Sequence, residues 1–254
     1  MNSIHMKSTI LFLLCLFILP FALPPAFGQA YPPALKITPL TGNFYIFTTY
    51  QQMGKDTIPS NSMYLVTTAG VVLFDTPWDS TQNQPLLDSI YARHHQKVVL
   101  CIVTHFHEDR TGGLAFLRKQ GVATYSSELT YSLCIQHHMP LAENVFTGDT
   151  LFRVGNDSFQ TYYPGEGHTK DNIVIWFPKD RILYGGCLVK SVAWDDLGFI
   201  GDANLIEWPR SVEKVIRQFP HPAFVIPGHA DWTDNQSLYH TLKLLEQHRK
   251  KAHI

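Results

Sequence analysis

The sequence is short of charged side chains. Asp, Glu, Lys and Arg make up only 16% of its 254 residues, and the formal net charge is −1. No basic field points to nucleic acid, and no acidic tail points to a basic partner. Internal repeats and low-complexity runs are absent too. With 45% hydrophobic residues, the composition is that of a globular protein, long enough for one large domain or two small ones.

Cysteine is scarce as well. The chain has 4, and Cys15 falls in an apolar N-terminal run, so an odd number remains for the rest of the chain. An odd number excludes a fully paired disulfide framework. Cys101 lies in a predicted strand and Cys134 in a predicted helix, where free thiols pack as small apolar side chains. Cys187 follows two glycines at a strand end and needs a different explanation.

The N-terminus has the pattern of a secretory signal peptide. Lys7 precedes an apolar run over residues 10–23, and Ala26-Phe27-Gly28 supplies the small residues that signal peptidases favour. An uncleaved membrane anchor is the alternative, but the run is shorter than the about 20 residues of a full span. We therefore expect a signal peptide over residues 1–28, with residues 29–254 forming a single domain in the periplasm that has no stable membrane association.

Strand and helix patterns alternate along the remaining chain. Strands are predicted over residues 44–49, 61–67, 71–75, 97–103, 151–154, 159–163, 172–177 and 181–184, and helices over residues 85–93, 111–118, 128–138, 205–218 and 235–250. Residues 50–56 have little periodicity and a central Gly54, which favours a mobile hairpin loop. No linker separates the two similar halves. The pattern predicts two packed sheets with helices on both outer faces.

A His-x-His-x-Asp motif stands where the strand over residues 97–103 ends. His105, His107 and Asp109 offer three potential metal ligands within five residues, and imidazole with carboxylate suits zinc. Open α/β sheets place their chemistry at the carboxyl ends of strands. The alternative is that both histidines are solvated and that Asp109 caps the following helix.

Three more strand ends carry a potential ligand. His168 lies in a loop after a strand, Cys187 follows Gly185-Gly186, and His229 follows the apolar run Phe224–Pro227. Each of them alone is more often structural, but neighbouring strand ends lie side by side at one edge of a sheet. Six ligands are too many for one tetrahedral zinc and fit two zinc ions bridged by water, whose pKa falls toward ~7 on coordination. Cys187 would then bind as a thiolate.

These motifs resemble those of the metallo-β-lactamase superfamily. They follow in the family's order, namely Phe74-Asp75-Thr76-Pro77-Trp78, residues 104–113, Gly167-His168-Thr169, Gly186-Cys187, Lys190-Ser191, residues 201–204 and Pro227-Gly228-His229. Within that superfamily the chain is similar to the zinc (class B) β-lactamases. Cys187, Lys190 and Arg110 make the distinction, since glyoxalase II and related hydrolases usually carry a His after the Asp and a bridging Asp in place of the cysteine.

The resemblance implies a four-layer αββα sandwich and a role for each motif residue. His105, His107 and His168 would hold the first zinc, and Asp109, Cys187 and His229 the second. Asp109, Lys190 and Asn204 are expected to serve catalysis, with Lys190 pairing with the substrate carboxylate and Asn204 stabilising the oxyanion. Asp75 and Arg110 would position ligands and balance the thiolate charge. The loop over residues 50–56 would cover the substrate, with Met53 making an apolar contact.

Alternatives remain for two of these residues, and one residue departs from the family pattern. Lys190 could be a solvated surface lysine, and Asn204 could be a helix cap. The family usually has Gly after the last histidine, where this chain has Ala230. If that position requires a positive φ, alanine costs about 1 kcal/mol there.

The function expected from this resemblance is that of an exported, monomeric two-zinc hydrolase. It would open penicillins, cephalosporins and carbapenems by means of a zinc-bound hydroxide and confer antibiotic resistance. One alternative is a thioesterase or lactonase of the same fold, against which export and Lys190 argue. The other is a non-catalytic periplasmic zinc-binding protein, but such proteins tend to carry histidines in flexible tracts.

Overall fold

A computed structural model describes residues 35–252, so the predicted signal peptide over residues 1–28 lies outside the described residues. The strands are β1 (Lys36–Thr41), β2 (Phe44–Met53), β3 (Asp56–Thr67), β4 (Gly70–Phe74), β5 (Val98–Ile102), β6 (Ala123–Ser127), β7 (Asn144–Phe146), β8 (Leu151–Val154), β9 (Asp157–Tyr162), β10 (Val174–Phe177), β11 (Ile182–Gly186) and β12 (Phe224–Pro227). The helices are α1 (Asn83–His94), α2 (Glu108–Thr111), α3 (Leu114–Lys119), α4 (Glu128–Gln136), α5 (Trp208–Gln218) and α6 (Ser237–Ala252).

The strands form two sheets. In the first sheet β1 to β7 pair in chain order, antiparallel from β1 to β4 and parallel from β4 to β7. The parallel pairs are joined by crossovers that contain α1, α3 and α4, because parallel strands cannot be joined by a tight turn. The second sheet has the order β12-β11-β10-β9-β8 and is antiparallel except between β11 and β12.

Apolar side chains hold four layers together. Between the sheets, the ring of Phe74 meets those of Phe159 and Phe177 edge to face, with centroids 4.9 and 5.1 Å away. Helices α1 and α3 cover the outer face of the first sheet through Leu86, Ile90, Leu114 and Leu117. Helices α5 and α6 cover the second sheet through Val212, Val215, Leu238 and Leu245. The predicted αββα sandwich is confirmed.

The hairpin predicted over residues 50–56 is confirmed, but the prediction that the whole segment is a loop is wrong. Strands β2 and β3 stay paired as far as Met53 and Asp56, so the turn contains only Gly54 and Lys55. This ribbon projects from the sheet without an apolar face, and polar contacts such as the 2.8 Å bond from Thr57 to Gln52 join its strands. Because the end of this hairpin packs neither face against the core, its sequence lacks the alternation of apolar and polar residues that predicts a strand.

Helix boundaries also differ from the prediction. The helix expected over residues 111–118 is divided by Gly112-Gly113 into α2 and α3, and α5 begins at Trp208 rather than at residue 205. Strands β1, β6 and β7 were not bounded from the sequence. Among residues 35–252, no helix combines the length and the apolarity needed to cross a bilayer.

Candidate metal centre

The structure brings all six predicted ligands together at one end of the two sheets. Their donor atoms form three overlapping groups, each within 4.8 Å, and these are His105 with His107 and Asp109, His105 with His168 and Cys187, and Asp109 with Cys187 and His229. The imidazoles of His105, His107 and His168 form a triangle with centroids 4.8 to 5.1 Å apart. The solvated-loop alternative for the His-x-His-x-Asp motif therefore fails, since His105 is fully buried.

Hydrogen bonds turn two of the histidine rings toward the cluster. Nδ1 of His229 lies 2.8 Å from the backbone oxygen of Pro59, which leaves Nε2 facing Asp109 at 3.1 Å. Nε2 of His107 lies 2.8 Å from a carboxylate oxygen of Asp202, which leaves Nδ1 facing His105. Such partners fix the tautomer and orientation of a metal-binding imidazole.

Arg110 is the centre of the network behind the ligands. Its guanidinium is fully buried and donates to the carboxylate of Asp109 at 2.9 Å, the sulfur of Cys187 at 3.0 Å and the backbone oxygen of Gly228 at 2.8 Å. A Cβ on Gly228 would lie 2.7 Å from both the guanidinium and the cysteine sulfur, so the packing there requires glycine. Arg110 therefore occupies the position expected for a residue that balances the thiolate charge.

Asp75 holds the first turn of the ligand loop. Its carboxylate accepts hydrogen bonds from the backbone N–H of Thr104 at 2.7 Å and from the hydroxyl of Tyr184 at 2.6 Å. Burial raises the pKa of Asp75 to about 6, although Arg110 and these hydrogen bonds oppose the rise. Asp75 also has a φ of 66°, a left-handed conformation that a non-glycine residue rarely adopts.

Burial and charge hold His105, His168 and Asp109 in the protonation states that a metal needs, whereas the Cys187 thiol keeps its proton until a metal binds. Burial lowers the pKa of His105 and of His168, which keeps both imidazoles neutral. Burial opposes ionisation of Asp109, yet the Arg110 charge and the His229 hydrogen bond hold its pKa well below the usual range. Burial raises the pKa of the Cys187 thiol to about 12, with Arg110 acting against the rise.

This donor set fits a transition-metal site. Imidazole nitrogens, a carboxylate and a sulfur are the ligands that zinc takes in proteins, and a coordinating metal deprotonates a thiol. Nδ1 of His168 is buried without a hydrogen-bond partner among residues 35–252. The six side chains therefore form a site that could hold metal ions.

Lys190 is not the solvated surface residue that the alternative supposed. It is 3% exposed, and burial lowers the pKa of its ammonium group. Its Nζ lies over the rings of Trp208 and Trp194, 5.3 and 6.0 Å from their centroids.

The side chain of Asn204 serves the start of α5. Its Oδ1 accepts hydrogen bonds from the backbone N–H groups of Ile206 and Glu207, at 3.2 and 3.1 Å. Its amide nitrogen donates to Glu166 at 2.7 Å. These contacts cap the turn that precedes α5, whose own N-cap is Glu207, and the oxyanion role remains a prediction.

A cleft of about 530 Å³ opens beside the ligands. Its walls include Met53 at the hairpin tip, as expected, and also Trp78, Phe106, Met139 and Phe199. Phe199 is 63% exposed, and its ring centroid lies 5.6 Å from that of His107. The sequence did not predict Phe199 as a wall residue. Nor did it predict that Asp202 bonds to His107, although Asp202 lies inside the Gly201-to-Asn204 motif.

Ala230 has the strained backbone anticipated for it. Its φ is 61°, and its carbonyl accepts a 2.8 Å hydrogen bond from the amide of Asn61, which also bonds to Pro227. The left-handed conformation is thus required by the contacts of this turn and is retained without a glycine.

Known proteins share this arrangement. Residues 56–229 match the family model described as the Metallo-beta-lactamase superfamily. A metallo-beta-lactamase type 2 of Elizabethkingia meningoseptica is 43% identical over 89% of this chain and 90% of its own length. The metallo-beta-lactamase IND-1 of Chryseobacterium indologenes is 37% identical over 95% of this chain and 99% of its own length.

Solved structures agree with these sequence matches. A metallo-beta-lactamase from Pontibacter korlensis superimposes with a TM-score of 0.81 at 36% identity, covering 84% of this chain and 99% of its own. Metallo-beta-lactamase IND-7 gives a TM-score of 0.81 at 39% identity, over 84% of this chain and 98% of its own. With a matching family model, near full-length relatives and the same fold, the chain belongs to the metallo-beta-lactamase superfamily and, within it, to the metallo-beta-lactamases.

Proposed function

We propose that this chain hydrolyses the amide bond of β-lactam antibiotics with two zinc ions and thereby confers resistance. The observation that carries the proposal is the group formed by Asp109, Cys187 and His229, with Arg110 donating to the cysteine sulfur at 3.0 Å. The names of the full-length relatives support the same activity.

The six ligands would hold the zinc ions in two sets. His105, His107 and His168 form one set, and Asp109, Cys187 and His229 form the other. Bound zinc supplies Lewis acidity and makes water nucleophilic near neutral pH. Asp109, kept ionised by Arg110, contributes a carboxylate rather than an acid proton at this pH.

The remaining residues bind and orient the substrate. Lys190 presents an ammonium group to the carboxylate common to penicillins, cephalosporins and carbapenems, a charge-assisted contact that fixes the lactam carbonyl relative to the metal ligands. Met53 and Phe199 offer apolar surface to the substituents and exclude water from the cleft.

Export completes the proposal. The signal peptide pattern supports cleavage before Gln29 and an enzyme of residues 29–254 in the periplasm, where β-lactams meet their targets. Mass spectrometry of the protein from a periplasmic extract tests this proposal. We expect the mass of a chain that starts at Gln29, whereas the mass of the uncleaved chain would contradict the proposal.

The deciding experiment measures hydrolysis of a cephalosporin and a carbapenem by the purified protein, with zinc and then with a chelator. We expect the protein to hydrolyse both substrates in the presence of zinc and to lose this activity when a chelator is added. Bound zinc without lactam hydrolysis rejects the proposal. Thioesters and lactones, assayed in parallel, then distinguish another hydrolase from a non-catalytic zinc-binding protein.

A further inference from the structure

The ammonium group of Lys190 has unusual surroundings. The side chain is almost fully buried, yet no hydrogen bond or ion pair from its Nζ is found among residues 35–252. Its near neighbours are instead the rings of Trp208 and Trp194, with the centroids 5.3 and 6.0 Å away. Aromatic faces attract a cation through the ring quadrupole, most strongly when water is excluded.

Aromatic neighbours leave the lysine available to a ligand. A carboxylate from the protein would compete for the three N–H donors of the ammonium group, whereas a ring face stabilises the charge without accepting them all. The arrangement compensates part of the cost of burying the charge and keeps its donors for the substrate.

Trp194 itself is held on several sides. Its ring stacks on the imidazole of His229 with centroids 5.4 Å apart and an angle of 16° between planes. Its backbone oxygen lies 2.7 Å from Nε2 of His240 on α6, and its backbone N–H bonds to Ser191. Gly198 lies against the ring, since a Cβ there would be 3.3 Å from it. The ring is therefore a fixed surface and not a mobile side chain.

We propose that Trp194 is a positioning residue that, with Trp208, holds the Lys190 ammonium group where it binds the substrate carboxylate. The inference rests on the proposed function and adds a residue to it. Trp208, the first residue of α5, is fully buried in the core, so substitutions there would disturb the fold. Trp194 is half-buried in a loop and is the residue to test.

The first test is kinetic. We expect Trp194→Leu to raise KM for benzylpenicillin about tenfold with kcat changed much less, because the variant weakens substrate binding. Trp194→Phe keeps an aromatic face and should restore most of the affinity. Trp176→Leu is the matched control, because Trp176 stacks on Phe219 and makes no ring contact with Lys190 or a ligand histidine among the described residues, and its KM should equal that of the wild type.

A double-mutant cycle shows whether Trp194 acts through the lysine. In a Lys190→Ala background, Trp194→Leu should raise KM no further. An equal additional increase in that background, or an unchanged KM in Trp194→Leu while the wild type turns over, overturns the proposal. If both kcat and the zinc content of the Trp194→Leu variant fall, Trp194 has only a structural role, and this result also contradicts the proposal.

A binding measurement keeps this test separate from the proposed function. Hydrolysed benzylpenicillin, which retains the carboxylate, is titrated into wild type and Trp194→Leu by calorimetry. About tenfold weaker binding by the variant is expected even if turnover fails, by the same cation–ring contact. Equal affinities reject the role of Trp194, whereas absent hydrolysis by the wild type rejects only the proposed function.

Discussion

Cys187 has a role that its two described counterparts do not share. Its sulfur lies 3.2 Å from His229 and 3.0 Å from Arg110, while Cys101 packs in the apolar core under α1 and Cys134 is buried on α4. We predict that Cys187→Ala lowers bound zinc from two equivalents toward one and sharply lowers turnover, measured by elemental analysis and β-lactam hydrolysis. Cys134→Ala, the control, should keep both. Full activity of Cys187→Ala with two zinc ions would disprove the ligand assignment.

Asn204 can be tested for its two possible roles with one variant. Because its side chain bonds to the turn that leads into α5, we expect Asn204→Ala to lower the free energy of unfolding by about 1 kcal/mol and to change kcat by less than about twofold. A residue that stabilises an oxyanion would instead cost about 10²- to 10³-fold in kcat. Urea denaturation and steady-state kinetics give the two readouts, and a large loss of kcat supports the oxyanion role.

Ala230 stores backbone strain that can be relieved. The φ of Ala230 is 61°, so replacement by glycine removes the steric cost of a Cβ in the left-handed conformation. This gain in free energy exceeds the loss caused by the greater entropy of the unfolded chain with glycine. We predict that Ala230→Gly raises the free energy of unfolding by about 0.5–1 kcal/mol in urea denaturation. Ala92→Gly, in the last turn of α1, should instead lower it, by at most about 1 kcal/mol. Destabilisation by both variants would show that the turn at Ala230 is unstrained.

The sequence motifs predict which six candidate ligands lie together, but not the environment of every site residue. His105, His107 and Asp109 are detectable because the motif is local, and Cys187 and His229 because each follows an apolar strand. The burial of Lys190 was not detectable, since it depends on Trp208 packing beside it from 18 residues further along the chain. Nor could spacing show that Asp202 bonds to His107, because the two meet only through tertiary packing.

Among the elements, the hairpin of β2 and β3 controls one wall of the cleft. Met53 at its tip is 56% exposed and lines the cleft with Trp78. We predict that Met53→Ser raises KM for a substrate with an apolar substituent about threefold, because the thioether loses its contact with that group. Steady-state kinetics measure the change. Lys55→Ser, in the adjacent turn, serves as control, and equal KM values for all three proteins would exclude Met53 from substrate binding.

The elements that the sequence predicted well are those with a buried face. Strand β8 was bounded correctly, and β5 and β10 within two residues, since their apolar residues contact the core. The far half of the hairpin and the short strands β1 and β7 have mostly exposed or half-buried residues, so neither alternation nor a continuous apolar run marks them. These segments are strands because they pair with a neighbouring strand, and such pairing cannot be read from one segment of the sequence.

On the scale of the whole molecule, Arg110 joins the two sheets. It donates to the backbone oxygen of Asn61 on β3 at 2.7 Å, to Tyr184 on β11 at 3.2 Å and to Gly228 after β12 at 2.8 Å. We predict that Arg110→Leu lowers the free energy of unfolding by about 3–5 kcal/mol, because it leaves Asp75 and Asp109 buried without their cation.

Urea denaturation in the presence of a chelator measures this loss apart from metal binding. Arg118→Leu, an exposed position on α3, provides the comparison and should change stability by less than about 0.5 kcal/mol. Similar, small changes for both variants would contradict the structural role of Arg110.

The order in which the molecule folds follows from where the ligands come from. His105, His107 and Asp109 follow β5 of the first sheet, whereas Cys187 and His229 follow β11 and β12 of the second. The local group of His105, His107 and Asp109 lacks the other three candidate ligands, and contacts between distant segments form late because loop closure opposes them. We therefore expect the full metal centre to assemble only after the two sheets have docked, late in folding.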